Sequence, residues 1–441
     1  MKNFVYFLIL YFLFSMLYVY IIVSYFSYEG YYADISKEKI VLSILFLFLL
    51  SLILEKKEKI SVSLINALIG FSIIPMLVLF SFQNLSLEYM LYVIFSVLLV
   101  MLICKFKFNF KLVPIKQIYI LTPILVVSFF VILILFWENH KYFNLDISKV
   151  YEYRRIISDN TPKLVEYIYN ILFKGLVPLL FLYYLFHLKD NFTKFVLSLF
   201  LLIFYTLIFG MTSHKFFLFI IPFMLLLYFI GNFTRNWNLF FLKFLIILLF
   251  NLILLYIILG DSNINLLIIS LFLRRVFFVP AMLNFSYFEF FKEHNFVYFT
   301  DSKLLPFRYI LGYPYDLDIS HLIGREMFGK PEMGANTGWL GSGYAQAGFL
   351  GMILYAVIIS LVLKYLDYVS KYLRKEFIIL SFIPYIVVLY LSSDLKTVFI
   401  THGLIFYLIF LGILAFNEKK RRIGFAHKKE NMPHFNRSSS F

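Results

Sequence analysis

The side chains best suited to chemistry lie in one long polar segment between apolar stretches, from about Lys292 to Gln346. Its polar, charged and large aromatic residues include Arg308, Asp316, Asp318, His321, Arg325, Glu326, Asn336 and Trp339. Loops longer than about 15 residues without regular structure are usually functional or disordered. This segment is too rich in Tyr, Phe, Leu and Gly to be typical of disorder. We therefore expect a functional site within it.

His321 and Glu326 are the candidates for acid–base catalysis in this segment. Histidine titrates near neutral pH, and a carboxylate can orient it or act as the base itself. Asp316 and Asp318 are the alternative carboxylates. The competing interpretation of His321 is a solvated loop side chain without a chemical role.

Cationic side chains form a second group of candidates, suited to an anionic ligand that bears sugars. They are Arg154, Arg155, Lys215, Arg274, Arg275 and Arg325. A guanidinium group binds phosphate through two parallel N–H donors, and a neighbouring tyrosine such as Tyr151 offers a ring face and a hydroxyl to a sugar. The alternative for the run from Tyr151 to Arg155 is an aromatic and basic anchor at the membrane surface. The alternative for Lys215 is a simple polar turn.

Further sugar contacts are expected from the Gly- and Ser-rich run 336–349, where Trp339 would stack on the apolar face of a sugar ring. Asn336 and Tyr344 are the other sugar-binding candidates there. Small residues permit close approach of the backbone, and the free N–H groups of a helix N-terminus favour anions. The spacing is not that of a Walker-type phosphate loop.

Metal and cofactor chemistry is not expected. The histidines that we place on the outer side are scattered, and no pair has the spacing of a zinc site. They are His140, His214, His294, His321 and His402. The single cysteine, Cys104, excludes internal disulfides.

The composition indicates an integral membrane protein. Of 441 residues, 62% are hydrophobic and only 15% are charged, whereas soluble domains carry about 25% charged residues. A membrane span needs about 20 apolar residues. We predict an all-α fold whose spans, about twelve, lie at 3–24, 38–54, 62–82, 88–104, 117–137, 165–187, 192–210, 215–231, 238–260, 345–364, 376–392 and 398–416.

Clusters of lysine and arginine predict the orientation of these spans. The clusters near 56–59, 105–116 and 364–375 and in the tail fall on one side, which makes both termini cytoplasmic. The net charge of +15 thus reflects topology and contact with anionic lipid headgroups, and no nucleic-acid partner is indicated. We expect a single transmembrane domain at 1–416, outward (periplasmic) loops at 138–164 and 292–344, and a disordered basic tail at 417–441.

The segment 264–291 is apolar but is interrupted by Arg274, Arg275 and Pro280. A full crossing here would reverse the three spans that follow and place the basic tail outside. A re-entrant or interfacial helix on the outer side preserves the orientation. Because charges at membrane depth are costly unless they face a cavity or a partner, we place both arginines at the outer mouth of a cavity.

Two runs of the sequence resemble a known family. The run from Arg274 to Pro280, followed by NTGWLGSGYAQAGFLG at 336–351, is similar to the Wzy-type oligosaccharide repeat-unit polymerases, which make O-antigen and capsular polysaccharide. The second run looks like that family's loop-to-helix element, in which small residues, an aromatic residue and Gly-Phe-Leu-Gly open a late helix. The resemblance in topology covers the whole chain, and the motif covers only these runs.

The resemblance implies a metal-independent glycosyltransferase in the bacterial cytoplasmic (inner) membrane that works at its outer face. Such an enzyme joins repeat units carried on undecaprenyl diphosphate, without a nucleotide sugar or cofactor, in lipopolysaccharide or capsule biosynthesis. Its expected partners are the lipid-linked oligosaccharide, the bilayer, a chain-length regulator and a flippase.

The resemblance also implies roles for the candidate residues. Arg274 and Arg275 would hold the donor diphosphate and offset charge on the leaving group. The other cationic candidates would complete this clamp or hold the diphosphate of the acceptor. His321 or Glu326 would take the proton from the acceptor hydroxyl.

Other classes of protein remain open. A flippase or transporter of lipid-linked oligosaccharide predicts internal repeats and charges buried within spans, where the sequence offers Lys174 and Lys243 and no repeat. A related O-antigen ligase is poorly separated from a polymerase by sequence. A membrane acyltransferase predicts a histidine motif inside a span, which the sequence lacks.

Overall fold

The computed structural model describes residues 2–112, 114–116, 118–260, 262–302 and 306–430, with the backbone alone at 118, 120, 151 and 423–430. Every regular element within these ranges is helical. Apart from short 3₁₀ turns, the helices in chain order are α1 (Lys2–Glu29), α2 (Lys37–Ile53), α3 (Ile60–Phe82), α4 (Leu87–Lys105), α5 (Ile118–Asn139), α6 (Val150–Asn160), α7 (Lys163–His187), α8 (Asn191–Thr212), α9 (Lys215–Gly231), α10 (Trp237–Leu259), α11 (Asn263–Glu293), α12 (Phe307–Leu311), α13 (Ile319–Phe328), α14 (Trp339–Val369), α15 (Lys375–Ser381), α16 (Ile383–Ser392), α17 (Leu395–Ile400) and α18 (Leu404–Glu430).

Nine helices in the described ranges are long and apolar enough to cross a membrane, namely α1, α3, α4, α5, α7, α8, α10, α11 and α14. Helices α15 and α16, bent by 45° at the break between them, form a tenth candidate. Helices α2 and α9 have 17 residues each. The prediction of an all-α, multi-pass membrane protein is confirmed, whereas the twelve crossings and their orientation stay predictions.

Helix α11 contains the segment 264–291, for which a re-entrant or interfacial helix is predicted. It is one helix of 31 residues and meets the length and composition criteria for a span. Its middle, Ser270–Phe278, is π-helical, a widened geometry that is frequent at functional sites. Within this stretch the Arg274 side chain is buried and that of Arg275 is exposed.

The described residues form two compact units. Unit 1 comprises those within 1–108, 222–367 and 379–402, and unit 2 those within 109–221, 368–378 and 403–441. Each unit therefore combines segments that are distant in the sequence.

Helix α3 is the centre of unit 1, and its apolar span is entirely buried. Helices α1 and α10 pack against it. Its buried polar side chains find partners inside the unit: the Ser63 hydroxyl donates to the Trp237 carbonyl at 2.8 Å, and the Asn66 amide donates to the Asn238 carbonyl at 2.7 Å. Buried polar groups need such partners, so these two hydrogen bonds hold α3 in one orientation about its own axis.

The 294–338 segment, which joins α11 to α14 in unit 1, is folded in its described parts. Helix α13 is held to the chain that follows it, because the Lys330 N–H donates to the Gly324 carbonyl and the Ala335 N–H to the Ser320 carbonyl. The Tyr287 hydroxyl of α11 donates to the Ala335 carbonyl at 2.9 Å. These bonds attach the 294–338 segment to the helix before it.

Unit 2 is built around α5, which packs against α7 and α8. Helix α6 lies against α8, and the Tyr205 hydroxyl of α8 donates to the Phe173 carbonyl of α7 at 2.8 Å. Helix α18 continues to Glu430, so the predicted tail 417–441 is helical to that point. Residues 431–441 of the tail lie outside the described residues.

Candidate functional site

A group of charged and hydrogen-bonding side chains lies in unit 1 with most of its surface removed from solvent, and we call it the polar centre. It consists of Asp301, Gln346, Tyr355, Asp394 and Lys396. The Lys396 ammonium lies 2.6 Å from the Asp301 carboxylate and 2.9 Å from that of Asp394. The exposed fractions of these three side chains are only 13–16%. Charges that are largely removed from water are costly, so this concentration of them makes the polar centre a candidate functional site.

Asp394 and Lys396 are positioned by a break between two apolar helices. Helix α16 ends at Ser392, and Asp394 is the N-cap of the short helix α17. The Asp394 carboxylate accepts the Lys396 backbone N–H at 3.0 Å, as N-cap residues commonly do. The cap therefore brings the Lys396 side chain back onto the same carboxylate.

Asp301 is positioned by a strained stretch of the 294–338 segment. Tyr298 and Phe299 both have positive φ, at 48° and 64°, which is uncommon for residues with a side chain. The Val297 and Tyr298 N–H groups donate to the carbonyls of Ala345 and Gln346, at 3.0 and 2.8 Å. These bonds hold the strained stretch against α14 and direct Asp301 to the polar centre.

Gln346 connects the two carboxylates of the polar centre. Its side-chain oxygen accepts the Phe299 N–H at 2.7 Å, and its amide nitrogen donates to Asp394 at 3.2 Å and to Asp301 at 3.4 Å. The Tyr355 hydroxyl donates to Asp394 at 2.8 Å. Gln346 belongs to the Gly- and Ser-rich run 336–351, so this run contributes directly to the polar centre.

The helix that carries Gln346 is interrupted directly after it. Ala347 and Gly348 have non-helical backbone angles inside α14, and Gly348 has φ = +61°. Only glycine adopts such a conformation at little cost. Other glycines of the run permit close packing: a Cβ atom on Gly351 would lie 2.1 Å from the Gly343 carbonyl oxygen, and one on Gly338 would lie 2.3 Å from the Tyr390 carbonyl oxygen.

The charges of the polar centre are unequal, with two carboxylates against one ammonium group. Burial raises the pKa of Asp301, and the neighbouring Asp394 charge acts in the same direction, whereas Lys396 lowers it. Burial and the charge of Asp301 also raise the pKa of Tyr313. Asp301 is therefore a stronger base than an exposed aspartate.

The Arg274 side chain, predicted to bind diphosphate, is engaged within unit 1. Its guanidinium group pairs with Glu29 at the end of α1, donates to the Ser270 hydroxyl at 2.7 Å and lies 4.7 Å from the centre of the Phe26 ring. A buried guanidinium needs such partners. Arg275, next to it, is exposed.

The cationic candidates Arg154, Arg155 and Lys215 belong to unit 2. The Arg154 guanidinium donates twice to the Ser213 carbonyl, at 3.0 and 3.2 Å. Burial, together with Lys174 and Arg154, holds the pKa of His214 well below its ordinary value. Lys215 is half-buried at the start of α9, and Arg155 is exposed. The structure describes Tyr151 by its backbone alone.

The candidates of helix α13 lie at the surface of unit 1. Arg325 pairs with both Asp316 and Glu326 at 2.7 Å, and this contact with Arg325 lowers the pKa of Asp316. The His321 Nδ1 atom lies 3.0 Å from the Pro331 carbonyl oxygen, and Asp318 is the N-cap of α13. Exposed ion pairs of this kind contribute little to stability.

The three sugar-binding candidates of the Gly-rich run differ in accessibility. Trp339 is fully buried at the start of α14. Tyr344 is buried too and stacks on Tyr92, with ring centres 6.4 Å apart. Asn336 is exposed, and its amide lies 3.4 Å from the Gly334 carbonyl oxygen.

Asp301, Asp394 and Lys396 are not among the site residues predicted from the sequence. A signal for the last two was present, because the predicted spans 376–392 and 398–416 leave only a short polar turn in which both charges lie. Asp301 lies within the long polar segment 292–346 that was expected to contain a functional site, but no local signal distinguishes it from the other charged residues there. Its role depends on contacts with residues 45 and 95 positions later. Within the described ranges, no three His, Cys, Asp or Glu side chains are grouped so that they could hold a metal ion.

No protein-family model, curated protein or solved structure matches this chain. The class of protein is therefore defined by the fold, as an all-α membrane protein with nine or ten candidate spanning helices in the part that the structure describes.

Proposed function

We propose that this protein is a glycosyltransferase of the bacterial cytoplasmic membrane that polymerises oligosaccharide repeat units carried on polyprenyl diphosphate. The observation that carries the proposal is the contact of Gln346 with Asp301 and Asp394. It joins the run that resembles the Wzy-type polymerases to a buried group of side chains that can transfer a proton. Because charges removed from water are costly, a group of this kind supports a role in chemistry or transport.

The pairing of Arg274 with Glu29 supports the expected outward position of the arginine. The clusters of lysine and arginine predict a cytoplasmic N-terminus, which puts the end of α1 at the outer surface. Glu29 is at that end and pairs with Arg274, so in the proposed orientation the guanidinium group would lie at the level where a lipid-linked diphosphate has its charged group. The diphosphate would then compete with Glu29 for the guanidinium group.

The reaction that we propose needs no nucleotide sugar. A hydroxyl of the acceptor repeat unit attacks the anomeric carbon of the donor glycan, and the bond from that carbon to the diphosphate oxygen breaks. The polyprenyl diphosphate leaves with the electron pair, and a base takes the hydroxyl proton. Cationic side chains stabilise the leaving group as charge develops on it.

The surface glycan of a deletion strain tests this function. We expect a single repeat unit in the strain that lacks the gene and a ladder of longer chains when the wild-type gene is restored, with membrane levels of the protein measured in parallel. Polymer of normal length in the deletion strain would contradict the proposal.

Transport of the lipid-linked unit is the second candidate, and the helix break at Asp394 favours it. Transporters commonly combine charged side chains with a break in a helix at their substrate or ion sites. The break between α16 and α17 likewise contains a charged side chain, that of Asp394. Loss of all surface glycan in the deletion strain, with lipid-linked units retained on the cytoplasmic side, would support transport and contradict polymerisation.

A further inference from the structure

The polar centre contains more negative charge than its structural role requires. One carboxylate and Lys396 would suffice to attach the 294–338 segment to α17. The second carboxylate adds a buried charge that is not balanced by another cation among the members of the centre, and removing a charge from water is costly. The additional carboxylate in this largely buried group is therefore explained better by chemistry than by stability.

The two carboxylates differ in how many donors they accept. Asp394 accepts the Tyr355 hydroxyl, the Gln346 amide, and both the backbone and side-chain nitrogen atoms of Lys396. These four donors occupy the lone pairs of the Asp394 oxygen atoms. Asp301 accepts from Lys396 at 2.6 Å and from Gln346 at 3.4 Å, which leaves lone pairs on its oxygen atoms for another proton.

We propose that Asp301 is the general base of the transfer, and that Asp394 and Lys396 are the residues that position it. This inference rests on the proposed polymerase function and assigns its proton acceptor, which sequence analysis placed at His321 or Glu326. Asp301 takes the proton from the acceptor hydroxyl as the new bond to the anomeric carbon forms. The proton passes to water after the polyprenyl diphosphate has left. This single displacement inverts the anomeric centre.

The surroundings of Asp301 predict the pH dependence of the reaction. The groups that face it are Lys396 and Asp394 from the start of α17, Tyr355 from α14, Tyr287 from α11 and Tyr313 from its own segment. The base acts as a carboxylate, so the rate falls as the pH decreases through its pKa. Because burial raises this pKa, the fall begins at higher pH than for an ordinary aspartate, whose pKa is about 3.9.

The test uses the full-length protein in liposomes with a purified lipid-linked repeat unit as its only substrate. Asp301→Asn should reduce kcat by about 10²-fold or more, the size of a general-base contribution, with little change in KM. The wild-type decline at low pH should be absent from its residual activity. The matched control is Glu332→Gln, an exposed carboxylate of the same segment, which should retain wild-type kcat and the wild-type pH profile.

The outcomes separate the base from the function. If wild type forms no chains longer than one repeat, the proposed polymerase function fails. If wild type polymerises and Asp301→Asn keeps its kcat, or loses activity while retaining the decline at low pH, Asp301 is not the base. Should the asparagine variant not accumulate, Asp301→Glu decides: a base in that position shifts the pH at which the rate declines, and an unshifted decline overturns the assignment.

Discussion

Arg274 and Glu29 form an ion pair whose two members have different surroundings. The Arg274 side chain is 9% exposed and that of Glu29 is 30% exposed. Removing one member of a buried pair leaves the other without compensation, which costs more than the pair itself contributes. The pair is therefore a structural element as well as a potential ligand site, and the two roles call for different variants.

Arg274→Ala should destabilise the protein by about 3 kcal/mol, at the lower end of the range for buried pairs because Glu29 is partly exposed. Arg275→Ala, which removes an exposed neighbour, should change stability little. The midpoint of thermal unfolding in detergent measures both. The loss of stability in the double variant Glu29→Gln/Arg274→Gln should be smaller than the sum of the losses in the two single variants, because the effects of substitutions at contacting residues are not additive. Equal midpoints for Arg274→Ala and Arg275→Ala would contradict the structural role.

At the scale of elements, α14 depends on glycines where backbones approach each other. A Cβ atom on Gly338 would lie 2.3 Å from the Tyr390 carbonyl oxygen of α16, and Gly351 has a similar contact with Gly343. A side chain at such a position forces the backbone to move. These glycines keep the two parts of α14 and the end of α16 together, and they thereby support the polar centre.

Gly338→Ala and Gly351→Ala should each destabilise the protein by about 1–3 kcal/mol, the usual cost of overpacking. Gly334→Ala is the matched control, because its Cβ atom would lie 3.4 Å from the nearest atom, a side-chain nitrogen of Asn336, at the limit of ordinary contact. Thermal unfolding of the three variants in one detergent makes the comparison. If Gly338→Ala is as stable as the control, the close approach of α14 and α16 is wrong.

The sequence predicts these elements better than it predicts the polar centre. Apolar runs and Gly-rich turns are local signals, so the helices and the special role of the run 336–351 are visible without coordinates. The polar centre combines Asp301, Gln346 and Lys396 from three separate segments. Such contacts are set by tertiary packing, and a single sequence contains no periodicity that reveals them.

At the scale of the whole molecule, the predicted orientation depends on whether α11 crosses the membrane. If α11 re-enters on the outer side, both termini are cytoplasmic and the 294–338 segment is outside. If it crosses fully, the number of crossings elsewhere must differ, so that the clusters of lysine and arginine remain on one side. Such a difference could arise at α2, at α9 or at the α15–α16 pair, because none of these meets the length criterion as a single unbent helix.

Labelling of introduced cysteines tests this orientation. The one native cysteine, Cys104, is buried, so background labelling should be low. In intact cells, an impermeant maleimide should label Glu332→Cys at once, because this position lies in the 294–338 segment, which is predicted to be outside. It should label Lys420→Cys only after permeabilisation, because this position lies in the basic part of α18, which is predicted to be cytoplasmic. Labelling of both positions in intact cells would contradict the predicted topology.

The central claim is that the protein elongates a glycan on its lipid carrier, and product length in a purified system tests it most directly. Wild-type protein in liposomes would be given one lipid-linked repeat unit as its only substrate, and products would be resolved by mass spectrometry. We predict chains of two or more repeats, with one polyprenyl diphosphate released for each linkage formed. Single repeats alone, with the substrate moved across the bilayer, would contradict the claim and identify a transporter.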